Sequence, residues 1–97
     1  MNPTLVRARA LIADRHHWTQ GAAARDNLDR PVSPDASTAT CWCATGAVLA
    51  VEADLAATFI ALDRLEAAAA RRHGRSPEGV NDHYGHADVL RMFDDAL

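Results

Sequence analysis

The chain has 97 residues, of which 48% are apolar and 24% charged, a globular composition. A chain of this size buries roughly 60–70% of its unfolded surface, so a core needs neither metal nor disulfide. The formal charge is −3, and the ten basic residues, all arginine, are scattered apart from Arg71, Arg72 and Arg75, which argues against a nucleic-acid-binding stripe.

The length predicts one domain, 1–97. No apolar run approaches the roughly 20 residues that cross a bilayer, so no membrane association is expected. Two cysteines, Cys41 and Cys43, and no charged leader before an apolar run predict a cytoplasmic protein without a signal peptide. Five histidines give the surface a charge that inverts when all are protonated.

Asn2-Pro3 starts the first helix, with Asn as cap and Pro at the first helical position. Leu5, Ala8, Leu11 and Ile12 form its stripe, and the helix is expected over about Pro3–Asp14. Arg15 to Gly21 breaks the periodicity, with Trp18 as an anchor whose ring packs on the core. Asp26-Asn27-Leu28-Asp29 is rich in turn formers and closes a small β-hairpin over about 22–32. Pro31 confines the hairpin's second strand to an edge. Val32 to Thr40, with Pro34, two Ser and two Thr, is a loop.

From Thr40 to Val51 or Glu52 the chain is almost wholly apolar and predicts a central helix buried on every side. Gly46, about 1 kcal/mol worse than Ala in a helix, marks a close approach by another backbone or ring. A break at Glu52–Asp54 is required, because an unbroken helix to His73 would run beyond about 45 Å. Asp54 caps the next helix, which turns Leu55, Phe59, Leu62, Leu65 and Ala69 inward and ends at Gly74. Ser76 to Gly79 reads as a loop, and 80–86 as a polar stretch. A last helix follows over about His86–Leu97, with Val89, Leu90, Phe93 and Leu97 on one side. The fold expected is mainly α: a compact four-helix domain organised around its buried central helix, with a small β-hairpin at about 22–32.

Trp18-Thr19-Gln20-Gly21, Ala24-Arg25-Asp26, Trp42-Cys43-Ala44-Thr45-Gly46-Ala47, Asn81-Asp82 and His86 to Ala96 together resemble a family of small uncharacterised proteins of bacteria and their phages. Its pattern is W-C-x-x-G-A followed by N-D and H-x-D-V-L-x-x-F-D-x-A. The resemblance spans nearly the whole chain and implies a small helical cytoplasmic domain with no assigned activity. His83-Tyr84-Gly85 departs from the pattern.

Three chemistries compete for the polar residues. A thiol site would use Cys41 or Cys43 near a helix start, with His86 as base and Asn81 or Asp82 orienting it. A metal site would use His83 and His86, three apart, with Asp82 and Asp88 nearby. Against these, a cysteine among Trp, Ala and Val is ordinarily a small buried hydrophobe, and no closed four-ligand pattern exists. The third reading is a polar cluster of Trp18, Arg25, Trp42, Asn81, Asp82, His86 and Asp88, with Arg25 or Arg30 paired to Asp82 or Asp88. It needs no ligand and implies no cofactor. The function that follows is a non-enzymatic protein-interaction module, binding another protein or itself, such as a phage or mobile-element accessory or inhibitor. The alternative is a small Cys–His or metal-dependent hydrolase.

Overall fold

The computed structural model describes all residues 1–97. Helix α1 (Pro3–Leu11) begins where the Asn2 side chain accepts the Leu5 N–H at 3.0 Å. It stops short of Asp14, whose carboxylate instead accepts the His16 N–H and caps a 3-10 turn over Arg15–His17.

A small antiparallel sheet follows, made of β1 (Ala24–Arg25), β2 (Pro31–Val32) and β3 (Cys41–Trp42) in the order β2-β1-β3. Ala24 pairs with Val32 on one side and Trp42 on the other. The strand containing Pro31 is at the edge, where its missing N–H costs no ladder bond. Buried Asp26 shapes the turn before it, accepting the Leu28 and Arg30 N–H groups and the Arg30 guanidinium at 2.9 Å each. The Arg30 N–H, above the other contacts, holds the Asp26 carboxyl below the usual carboxylate range.

The third strand corrects the expected central helix. Cys41 and Trp42 are extended, Cys43 is the cap, and helix α2 runs Ala44–Val51. An apolar run suits either conformation; here β1 decides by supplying backbone partners. The Thr40 N–H donates to the Arg25 carbonyl at 2.8 Å and the Cys43 N–H to the Ala23 carbonyl at 3.1 Å. Across the strand, the Thr19 N–H reaches the Trp42 carbonyl at 3.0 Å. Gly46 lies against the Ala23 backbone: a Cβ there would be 1.9 Å from the Ala23 oxygen.

Helix α3 (Leu55–His73) starts at Asp54, which accepts the Ala57 N–H at 2.8 Å, and ends at Gly74 with φ 63°. The break before it is pinned by Glu52, which accepts the Thr4 hydroxyl and, at 2.9 Å, the Arg7 guanidinium. The inward face matches the expected one at Leu65 and Ala69 and differs from it at Leu55 and Phe59. Thr58, Ala61, Leu65, Ala68 and Ala69 are buried, while Leu55 is 68% and Phe59 57% exposed. Two apolar stripes compete on this helix, and the alanine-rich one wins because small side chains let neighbouring helices approach closely.

Five α-helices, not four, are present. Ser76 accepts the Gly79 N–H at 3.1 Å and Pro77 takes the first position of α4 (Pro77–His83), so the expected loop is a cap followed by a short helix. Helix α5 (His86–Ala96) buries Val89, Met92, Phe93 and Ala96. The Arg64 guanidinium ties down its end, donating to the Ala96 and Leu97 carbonyls at 2.7 Å each. One core of fifteen residues draws on all five helices. Helix α2 packs against α1, α3 and α4, but Leu49 is 44% exposed, so it is covered on all sides but one. No helix is long and apolar enough to cross a membrane.

Candidate functional site

Asn81, fully buried on α4, joins three segments. Its Oδ1 accepts the Trp18 indole N–H at 2.7 Å and the Ala44 N–H, at the start of α2, at 3.0 Å. Its Nδ2 donates to the Thr19 carbonyl at 3.0 Å and to Asp82 Oδ1 at 3.1 Å. That is the full hydrogen-bonding capacity of an amide side chain. The Gln20 amide reaches the Asn81 carbonyl at 2.9 Å, and Asp82 Oδ1 accepts the Gly21 N–H at 3.0 Å. Trp18, Asn81 and Asp82 thus share one corner. Gln20 and the Ala44 N–H belong to it as well, and nothing in the residue pattern points to a backbone partner.

The other expected members make no hydrogen bond to Asn81 or Asp82, although the His86 ring packs beside Trp18. Trp42 donates its indole N–H to the Pro34 carbonyl at 2.9 Å. Arg25 is held locally, on the Gln20 and Asp29 carbonyls at 3.2 and 3.1 Å, and Arg30 stays on Asp26, so neither reaches Asp82 or Asp88. Asp88 faces Arg91 at 3.6 Å and His73 at 4.0 Å. His86 donates from Nε2 to the Ile12 carbonyl at 2.7 Å, with its ring 5.4 Å from that of Trp18.

The structure does not bring a thiol and an imidazole together. Cys43 Sγ accepts the Gly46 N–H at 3.2 Å and lies 3.4 Å from the Thr45 hydroxyl. Cys41 Sγ faces the Arg25 carbonyl at 3.8 Å. Both cysteines are free thiols. His83 is exposed, and no three His, Cys, Asp or Glu side chains converge on a point that could hold a metal ion.

Beside the Asn81 corner is a cleft of about 270 Å³, between the Gly21–Ala23 segment, the start of α2 and α4, with Cys43 and Thr45 on its wall. A groove of about 310 Å³ lies next to it, between Leu49 of α2 and Leu62 of α3. One turn along the same side of α3 stand the exposed Phe59 and, a further turn back, Leu55. A family of unknown function, DUF6197, matches residues 2–97. The chain belongs to that family. No curated protein and no solved structure matches it. Membership in DUF6197 carries no activity, so the chemistry of this face has to be read from its own residues.

Proposed function

We propose that this protein is a non-enzymatic interaction module of the cytoplasm that docks onto another protein through the α3 face around Phe59. One observation carries the reading: Leu55 and Phe59 are 68% and 57% exposed on successive turns of a helix whose opposite side is core, and Ile60, next to Phe59, is 56% exposed. Covering a large apolar side chain is worth about 1.5–3 kcal/mol, so three on one surface are a substantial driving force for association.

Size supports the same reading. With Leu49, the exposed apolar area is roughly 400 Å², at the scale of a functional patch. Interfaces are about 57% apolar, so such a patch fits a face of roughly 700 Å², close to the ~800 Å² that each partner contributes to an ordinary complex. Free thiols suit a reducing compartment. A phage or mobile-element accessory or inhibitor would act in this way, by occupying a partner's surface.

The test is site-specific photo-crosslinking in cells. A photoreactive side chain at position 59 is expected to give a discrete, saturable crosslinked protein, and one at exposed Asn27 is not. Identical crosslinking from both positions refutes the docking face.

A further inference from the structure

The docking face has a charge bias. The cleft beside Asn81 shares Thr45 and Glu78 with the α2–α3 groove, and the groove shares Leu49 with a hollow of about 240 Å³ beside Ser33–Asp35. The three hollows adjoin through these shared residues and together make a trench. Its floor is small or apolar, with Ala22, Ala23, Leu49 and Leu62. Every charged side chain that lines it is a carboxylate: Asp35, Glu66, Glu78 and Asp82.

None of those four carboxylates has an ion-pair partner, while Asp26, Asp29, Glu52, Asp94 and Asp95 are each matched to an arginine elsewhere. Asp35 accepts only the neighbouring Ser33 hydroxyl, and Asp82 accepts N–H groups of Asn81 and Gly21. Arg71 and Arg72 line a different surface with Asp95, at the far end of α3. Four of the six acidic side chains without an ion-pair partner therefore line this trench, the other two being Asp54 and Asp63. Such a field repels nucleic acid and attracts cationic partners from a distance.

We infer that the trench receives a basic, amphipathic segment of the partner protein. Its apolar side chains lie against Leu49 and Leu62, and its lysines or arginines meet Glu66, Glu78 and Asp82. This rests on the docking function proposed above and adds the chemistry of the partner. On α3 the trench is lined by Leu62 and Glu66, and the exposed face continues past them through Phe59 to Leu55, roughly 16 Å in all and enough for about three helical turns.

The experiment is an NMR titration of the ¹⁵N-labelled full chain with three synthetic peptides: Lys and Leu at helical spacing, Glu and Leu at the same spacing, and oligolysine. The Lys/Leu peptide is expected to move the amide signals of Thr45, Leu49, Leu62 and Glu66 saturably. Its affinity should fall at least tenfold between about 50 and 500 mM salt, where the Debye length shrinks severalfold. The double variant E66K/E78K should lose at least tenfold. E66Q/E78Q, a milder change at the same exposed positions, should lose severalfold with an unchanged thermal midpoint. Equal binding of the Glu/Leu peptide, equal binding of oligolysine, no binding at all, or wild-type affinity in both double variants overturns the inference. Failure here leaves the position-59 crosslink standing, whereas loss of that crosslink removes the docking function itself.

Discussion

Replacing Gly46 with Ala is expected to destabilise the protein strongly, although Ala is the better helix former. A Cβ at position 46 would stand 1.9 Å from the Ala23 oxygen and 2.8 Å from its carbonyl carbon. Relief requires the two backbones to separate by about 1 Å, because a carbon and a carbonyl oxygen do not pack much closer than about 3 Å. The Ala23 carbonyl is also the acceptor for the Cys43 N–H at 3.1 Å, so the movement disrupts the junction of β1, β3 and α2. Overpacking costs about 1–3 kcal/mol, and a buried hydrogen bond lost with its donor stranded costs about 1–3 kcal/mol more. The gain in helix propensity offsets only about 1 kcal/mol. The net loss is about 1–5 kcal/mol, centred on about 3, and at about 4–8 °C per kcal/mol for a domain of this size the central value lowers the thermal midpoint by roughly 12–24 °C. Urea denaturation and circular-dichroism melts measure both quantities. Gly85→Ala is the control: Gly85 has φ −83°, and nothing lies within 4 Å of an added Cβ. It should change stability by only about 0.5 kcal/mol. A Gly46→Ala protein as stable as the wild type refutes the close backbone approach.

Asn81→Ala should cost about 2–4 kcal/mol, since the Trp18 and Ala44 N–H groups lose their acceptor. Asn81→Asp should fare little better, because its second oxygen would face the Thr19 carbonyl and the Asp82 carboxylate; wild-type melting of either variant counts against the hub. Cys43→Ser keeps an acceptor for the Gly46 N–H, whereas Cys43→Ala removes it, so the alanine variant should be less stable by about 1 kcal/mol. Equal denaturation midpoints for the two would deny the sulfur its capping role. Asp26 and Glu52 are both held below the ordinary carboxylate range, Asp26 first by the Arg30 N–H and Glu52 first by the Thr4 hydroxyl. A depressed folded pKa adds stability that is complete above the unfolded value, near 4, and is lost as pH falls through the folded one. The wild-type thermal midpoint should therefore drop steeply below about pH 4, and that of Asp26→Asn should drop less; parallel curves refute the assignment.

The features legible in the sequence are those fixed by local chemistry. The Asn2-Pro3 start, the Asp54 cap, the Gly74 stop and the edge position of Pro31 each depend on a single residue's conformational limits. Gly46 betrayed a close approach, though not which backbone makes it. The strand at Cys41–Trp42 was not legible, because its conformation is set by partners more than fifteen residues away, at β1 and at Thr19. Helix α4 had a signal in Ser76-Pro77, a cap before a proline at the first position. Gly79 and the polar residues after it obscured that signal.

The inward face of α3 was ambiguous for a different reason. Its two stripes are both apolar, and packing selected the smaller side chains, which sent Leu55 and Phe59 outward. The polar corner was foreseeable as a grouping of Trp18, Asn81 and Asp82. Its wiring to Thr19, Gln20 and Ala44 was not, since most of those contacts are made by backbone atoms. Asp35, Glu66 and Glu78 come from three separate segments, and only the fold lines them along one trench.

Phe59→Asp tests the docking role of α3 most directly, with two readings on one variant. An exposed phenylalanine that serves only a partner predicts a thermal midpoint within about 3 °C of the wild type. It also predicts loss of the discrete complex that a photoreactive group at position 55 captures in cells. A complex that survives unchanged, or a midpoint that collapses because Phe59 is part of the core, contradicts it.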